Sequence, residues 1–260
     1  YGWIRSLWKL EDTIAPDGIC IFFDSGGSDA RKTILSAYKA NRKAMPEELK
    51  RQLEYINLLA VAHGYYIMVE EGLEADDLLA AFASIASARG EISYIASGDK
   101  DFAQCVCESV FQMLPPSAGD RGMWKILDRN GVAEKFGVSP EQIVDYLSLL
   151  GDTADNITGV SGIGHKRASV LLGQFGTIEN MMRNIDKISS QKIRASLVNS
   201  VDIILRNRQL ISLKNNIEFT LPEVEINRSI ADIINLFEEL ELTSLATLAI
   251  KRFSDYSRLI

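Results

Sequence analysis

The stretch Gly18-Ile-Cys-Ile-Phe-Phe-Asp24 decides the fold. Its apolar residues run without alternation, as in a strand covered on both faces of a parallel sheet. It closes on an acid, at the strand end where open parallel sheets place their sites. Two similar runs follow, Tyr65 to Val69 and Ile92 to Ala96. Between them lie helical stretches. Pro46 suits the first turn of a helix that runs to His63 and stops at Gly64, and residues 75–89 form a helix ended by Gly90. Residues 1–12 fit an amphipathic helix ended before Pro16, residues 25–29 a loop, and residues 109–114 an edge strand. Strand and helix alternate to about residue 114, which predicts an α/β fold with a parallel sheet. Beyond residue 129 the chain reads as helices only.

The acids follow the strands. Asp24 ends the first, Glu74, Asp76 and Asp77 follow the second, and Asp99 and Asp101 follow the third. Asp152 and Asp155, at i and i+3, are expected on one helix face. Most of these eight have no Lys or Arg beside them in the sequence. Acids gathered so raise each other's pKa unless cations bind. Oxygen ligands in this number suit Mg²⁺ or Mn²⁺. Two such ions can activate a water and stabilise a leaving oxygen in phosphodiester cleavage. Taken singly, Asp76, Asp77 or Asp101 reads equally well as a helix cap.

With 260 residues, 47% of them hydrophobic, the chain has enough material for a real core. Two histidines and three cysteines, with no cluster among them, argue against a zinc site and a disulfide framework. A reduced, cytoplasmic protein associated with the bacterial nucleoid is expected, with no membrane segment. The net charge of −7 argues against nucleic acid only until the positions of the charges are considered.

Gly159-Val-Ser-Gly-Ile-Gly164 offers glycines for a sharp hairpin, and the helix start behind it offers free amides for a phosphate. His165, Lys166 and Arg167 add positive charge. Such a device grips the phosphate backbone, not the bases. A second basic region runs through Arg31, Lys32, Lys39, Arg42, Lys43, Lys50 and Arg51, with Tyr38 placed to stack on a base.

Together, Phe22-Phe-Asp24, Tyr38-Lys-Ala-Asn-Arg42, Met45-Pro-Glu-Glu-Leu49, Glu74-Ala-Asp-Asp77, Ser97-Gly-Asp-Lys-Asp101 and the segment 151–168 resemble the 5′ nuclease (flap endonuclease) family. The bacterial polymerase I branch is the nearest in pattern. The resemblance implies a PIN-like parallel sheet with flanking helices and a helix-three-turn-helix DNA-binding region. It implies one metal site with Asp24, Glu74 and Asp76, and another largely from Asp77, Asp99, Asp101, Asp152 and Asp155. Lys39 and Arg42 match arch residues that act on the scissile phosphate. Arg31 matches another arch position, although Ala30 stands where relatives have an aromatic residue. Gly159, Gly162, Gly164, Lys166 and Arg167 would hold duplex DNA, with K⁺ on the hairpin carbonyls.

The implied organisation is a PIN-like core over residues 1–150 with its arch near 30–50, a DNA-binding region over 151–215 and a helical region over 216–260. The implied reaction is Mg²⁺-dependent cleavage of DNA at a 5′ flap or 5′ end, by a monomer with a polymerase domain in cis or in trans. Family members begin with a strand carrying a further metal-binding Asp, which is expected to precede Tyr1. The competing expectations are a catalytically impaired DNA-binding module of the same fold and a PIN-type ribonuclease.

Overall fold

The computed structural model describes residues 1–26, 29–117, 122–214, 217, 219–222 and 225–254; the Asp29 side chain is not described. Parts of the expected 25–29 loop (27 and 28) and of the expected region from 216 onward (216, 218, 223, 224 and 255–260), and residue 215, lie outside the described residues.

In chain order the elements begin α1 (Gly2–Ile14), β1 (Cys20–Phe22), α2 (Asp29–Ile34), α3 (Glu47–Ala62), β2 (Tyr66–Met68), α4 (Ala75–Ala88) and β3 (Ser93–Ala96). A 3-10 turn (Lys100–Cys105) leads to β4 (Val110–Leu114), β5 (Lys125–Leu127), α5 (Arg129–Phe136) and α6 (Ile143–Leu150). Next come β6 (Gly151–Asp152), β7 (Ile157–Thr158), α7 (His165–Phe175) and α8 (Ile178–Arg183). The last are α9 (Gln191–Val198), α10 (Val201–Ile211), α11 (Ile230–Glu239) and α12 (Thr243–Phe253). The chain forms two compact units, Tyr1–Asp24 with Ala44–Glu70 and Pro222–Ile260, and Ser25–Lys43 with Glu71–Leu221.

In the first unit β1 and β2 pair in parallel, Cys20 opposite Tyr66 and Phe22 opposite Met68, joined through α3. The core under them is helical: Ile4 and Trp8 of α1 meet Leu59 of α3, Phe237 of α11 and Phe253 of α12. Trp8 meets Phe237 and Phe253 edge-on, at 80° and 86°, contacts worth about 0.5–1.5 kcal/mol each beyond their burial. His63 is fully buried in this core. Its Nε2 accepts from Trp8 Nε1–H at 3.0 Å, and its Nδ1–H donates to Leu59 O at 2.6 Å. Glu11 is buried as well and accepts from Tyr65 Oη and from Arg228 and Arg252. Gly64, at φ +74, lies so close to Asn227 backbone that a Cβ there would fall 2.4 Å from its oxygen.

In the second unit β3 and β4 are parallel and β4 and β5 antiparallel, in the order β3-β4-β5. The alternation therefore yields the expected parallel pairing, but in two separate sheets. The strand expected at an edge, β4, is the middle one of its sheet. Val110 and Met113 are buried, which its apolar sequence requires of a central strand. The reading of helices only beyond residue 129 is also corrected. Gly151–Asp152 and Ile157–Thr158 form a short antiparallel pair, because the backbones of Gly151 and Gly159 approach too closely for any side chain. A Cβ on Gly159 would sit 2.0 Å from Leu150 O. The helices α6, α7 and α10 bury Leu147, Leu149, Leu172 and Ile204 in one core.

Burial pushes the His63 imidazole down to about 4. Protonation would also remove its acceptor for Trp8. The folded state thus binds a proton less readily than the unfolded chain, whose His titrates near 6.5. The stability that neutral His63 supports is complete above about pH 6.5 and falls as pH drops toward 4, by up to about 3 kcal/mol. Urea midpoints measured from pH 7 to 4.5 should therefore fall more steeply for the native protein than for His63→Gln. Equal slopes would contradict this.

Candidate nuclease site

Three short segments in the second unit carry the acids, and each is shaped by its local sequence. Glu74 is the residue before α4, with extended backbone and no capping bond from its side chain. Its carboxylate is thus free for other partners, while Asp76 and Asp77 lie in the first helical turn, where negative charge suits the helix dipole. Asp99 caps the 3-10 turn, accepting from Asp101 N–H at 3.0 Å. The cap is therefore Asp99, and Asp101 projects from the first turn instead. Gln112 of β4 holds this loop by donating to Ser97 O at 3.1 Å and Asp99 O at 2.6 Å. Asp152 ends β6 and accepts from Ala154 N–H at 2.8 Å. Asp155 lies in the turn between β6 and β7. The two do not share a helix face, because the chain here is a tight hairpin.

The chain supplies its own cations to these acids, contrary to the reading that most lack a partner. Arg31 is 3% exposed and forks onto Asp77, Nη2 to Oδ1 at 2.7 Å and Nη1 to Oδ2 at 2.8 Å; Nη1 also reaches Glu74 Oε2 at 3.0 Å. Lys39 Nζ donates to the same Glu74 oxygen at 3.0 Å. Tyr38 Oη bridges Glu74 at 3.4 Å and Asp155 at 3.3 Å. Arg42 pairs with Asp155. Lys100 pairs with Asp152 and lies 3.5 Å from Asp101. Among the described residues no three acidic, histidine or cysteine side chains come together closely enough to hold an ion. The ammonium and guanidinium groups stand between the acids instead.

The electrostatics follow. Burial, with Asp99, Asp152 and Asp155 nearby, pushes the Asp101 carboxyl up to about 7 against the opposing pull of Lys100. Its Oδ1 is buried without a hydrogen-bond partner. Partial burial raises Asp152, but Lys100 and the backbone amides outweigh it and hold it below the ordinary carboxylate range. Burial would lower the Arg31 guanidinium, and Asp77 and Glu74 more than reverse that.

Arg31 and Tyr38 differ most from expectation. Both were expected at DNA. Tyr38 is 5% exposed and belongs to the core, with burial and the Glu74 and Asp155 charges raising its phenol well above the usual range. Neither side chain is presented to a strand in this arrangement. Lys39, held at φ 56, donates its backbone N–H to Asp155 O at 3.0 Å. Asn41 donates to Thr153 O and Asn156 to Ala37 O, both at 2.8 Å. The segment 37–42 is thus laid onto the hairpin that carries Asp152 and Asp155. Asp24 belongs to the first unit, exposed two residues beyond β1.

Sequence reasoning missed three polar residues that set this geometry. Asn207 of α10, fully buried, donates to Ser148 O at 3.0 Å and Thr158 O at 2.8 Å, tying the last turn of α6 to the end of the short hairpin. Gln104 donates to Ile211 O at 3.1 Å and accepts from Leu213 N–H at 3.0 Å. Lys100 stood inside a quoted motif, and its charge between two acids was the available signal.

The glycine hairpin forms where expected, with Val160 and Ile163 buried and α7 beginning at His165. Ser161 O accepts from Ser196 Oγ at 2.5 Å and Gly162 O accepts from Arg167. Lys166 is exposed at the start of α7.

Residues 1–137 match the model of the 5′-3′ exonuclease N-terminal resolvase-like domain, and residues 138–232 that of the 5′-3′ exonuclease C-terminal SAM fold. The chain belongs to the 5′-3′ exonuclease family. It is 34% identical over 213 residues to DNA polymerase I of Caldicellulosiruptor bescii, which covers 82% of this chain and 25% of that protein. It thus spans about a quarter of the length of that relative. It is 32% identical over 248 residues to the 5′-3′ exonuclease of Aquifex aeolicus, covering 94% of this chain and 82% of that protein. The bacteriophage T5 D15 flap endonuclease, solved as a pseudo-enzyme-product complex with DNA and metal ions, shares the fold at TM-score 0.68 and 20% identity, over 96% of this chain and 89% of that one. The family membership accords with the α/β half followed by a helical half. No helix among the described residues is long and apolar enough to cross a membrane.

Proposed function

We propose that the chain is a metal-dependent 5′-3′ exonuclease and flap endonuclease acting on DNA. The observation that carries this is the Lys100 ammonium, set between Asp152 and the buried Asp101 Oδ1, which accepts no hydrogen bond and has this ammonium 3.5 Å away. A cation is demanded there by the local excess of acid. The donor set is all oxygen, which suits Mg²⁺ or Mn²⁺. Asp99, Asp101, Asp152 and Asp155 would hold one ion and Glu74 and Asp76 would contribute to another. When bound, such ions supply an activated water and stabilise the leaving oxygen.

The chain's own residues carry the remaining tasks. Lys39 and Arg42, released from Glu74 and Asp155, would clamp the scissile phosphate and neutralise its developing charge. Gly159, Gly162 and Gly164 bring backbone close to a duplex, and the N-terminal amides of α7 with Lys166 would take a phosphate. K⁺ on the hairpin carbonyls would compete with Ser196 and Arg167. The hairpin holds the duplex at a fixed distance from the acids, so the position of the cut follows structure rather than base sequence. Work in the cytoplasm, as a monomer with a polymerase domain in cis or in trans, fits this reading and the polymerase relatives.

Lys166→Ala should weaken duplex binding for all sequences alike, and the slope of log affinity against log salt should fall by about 0.9, the loss of one phosphate contact. An unchanged slope would remove α7 from the DNA interface. The decisive assay uses the full-length protein on a 5′-flap DNA with Mg²⁺. Cleavage should be lost on chelation and fall at least about 100-fold, or about 2.7 kcal/mol of barrier, in Asp99→Asn and Asp152→Asn, with DNA binding largely retained. Flap binding without any turnover would instead indicate an inactive DNA-binding module, and preference for RNA flaps a ribonuclease.

A further inference from the structure

Five consecutive residues, the last two of α10 and the three after it, have their backbone held by side chains. Leu210 O accepts from Arg31 Nε at 2.9 Å and Ser212 O from Arg31 Nη2 at 3.4 Å. Ile211 O and Leu213 N–H are taken by Gln104. Lys214 N–H donates to Asp77 Oδ1 at 3.0 Å. Asp77 is fully buried, and its two oxygens are already taken: Oδ1 by Arg31 and Lys214, Oδ2 by Arg31. A carboxylate so engaged has little to offer an ion. The same guanidinium touches Glu74, so the fork also sets the position of that carboxylate, whose other partners, Lys39 and Tyr38, share its Oε2.

We propose that Asp77 is a positioning residue and not an ion ligand, and that with Arg31 it forms a lock fixing the first turn of α4 and Glu74 to the chain leaving α10. This differs from the role that the motif Glu74-Ala-Asp-Asp77 suggests. The lock needs no metal, because Arg31 is its cation. Lys39, Arg42 and Lys100 are partly or largely exposed and can leave their acids. Arg31 is enclosed, and a lone guanidinium or carboxylate left behind there would be costly.

The inference rests on the metal-dependent reading only in its ion-binding arm. Its test joins melting of the metal-free full-length protein to calorimetric Mn²⁺ titration. Asp77→Asn and Arg31→Met should each lower the metal-free melting temperature by about 10 °C. Arg31→Met combined with Asp77→Leu should lower it by clearly less than the sum of Arg31→Met and Asp77→Leu, since no lone buried charge remains. Asp77→Asn should bind as many Mn²⁺ ions as the native chain, about tenfold more weakly because Glu74 is less well placed. Arg31→Lys should recover part of the affinity lost in Arg31→Met.

Loss of one Mn²⁺ equivalent in Asp77→Asn with an unchanged metal-free melting temperature would make Asp77 a ligand and overturn the proposal. So would additive effects in the double variant, or a double variant that melts below both single variants. Should the native chain bind no Mn²⁺, the metal-dependent reading fails, and the melting arm still decides the lock.

Discussion

Excess negative charge is the constraint on which the second unit depends. Glu74, Asp76, Asp77, Asp99, Asp101, Asp152 and Asp155 are brought into one region of the unit by α4, the 3-10 turn and the short hairpin. Unpaired, they would repel one another and resist burial. The chain answers with two kinds of cation. Arg31 is buried with five hydrogen bonds to side chains and carbonyls, a permanent member of the core. Lys39, Arg42 and Lys100 lie nearer solvent, each held by one or two acids. The first kind gives architecture; the second is the kind proposed above to exchange with ions or phosphates.

The helix α10 is where these elements meet. Asn207 ties it to the last turn of α6 and to the end of the hairpin that carries Asp152 and Asp155. Its last turn and the residues after it are bonded to Arg31, Asp77 and Gln104. Three acid-bearing segments far apart in sequence thereby take their positions from one helix. The buried polar groups involved are satisfied, which is the condition under which such networks specify a unique arrangement. Catalysis by positioned charge needs that rigidity, because misplacement of a group by an ångström costs rate.

Much of this was legible beforehand. The apolar run closing on Asp24, the helices 47–62 and 75–88 and the hairpin at Gly159 follow from local pattern, and they stand within a residue or two of the reading. The middle position of β4 was not legible, because its partner β5 has only three residues and follows a long connection. The hairpin at 151–158 was mistaken for helix because i and i+3 spacing fits both, and only the contact between Gly151 and Gly159 distinguishes them. Arg31 and Tyr38 were read as solvent-facing because a basic, aromatic stretch usually is. Their burial depends on acids more than thirty residues away, which no local pattern reveals. Asn207 and Gln104 carry no chemical signal of their own, since their role is to satisfy backbone groups supplied by the fold.

Under the proposals above, exchangeable cations of the chain hold places for metal ions while the Arg31–Asp77 fork does not. A crystal structure of the full-length protein grown with Mn²⁺, with ions located by anomalous scattering, tests it most directly. An ion should appear beside Asp101 and Asp152 with the Lys100 ammonium displaced, and the Arg31 fork on Asp77 should be unchanged. An ion bound to Asp77 with Arg31 swung away, or Lys100 still seated between its two acids at saturating Mn²⁺, would contradict it.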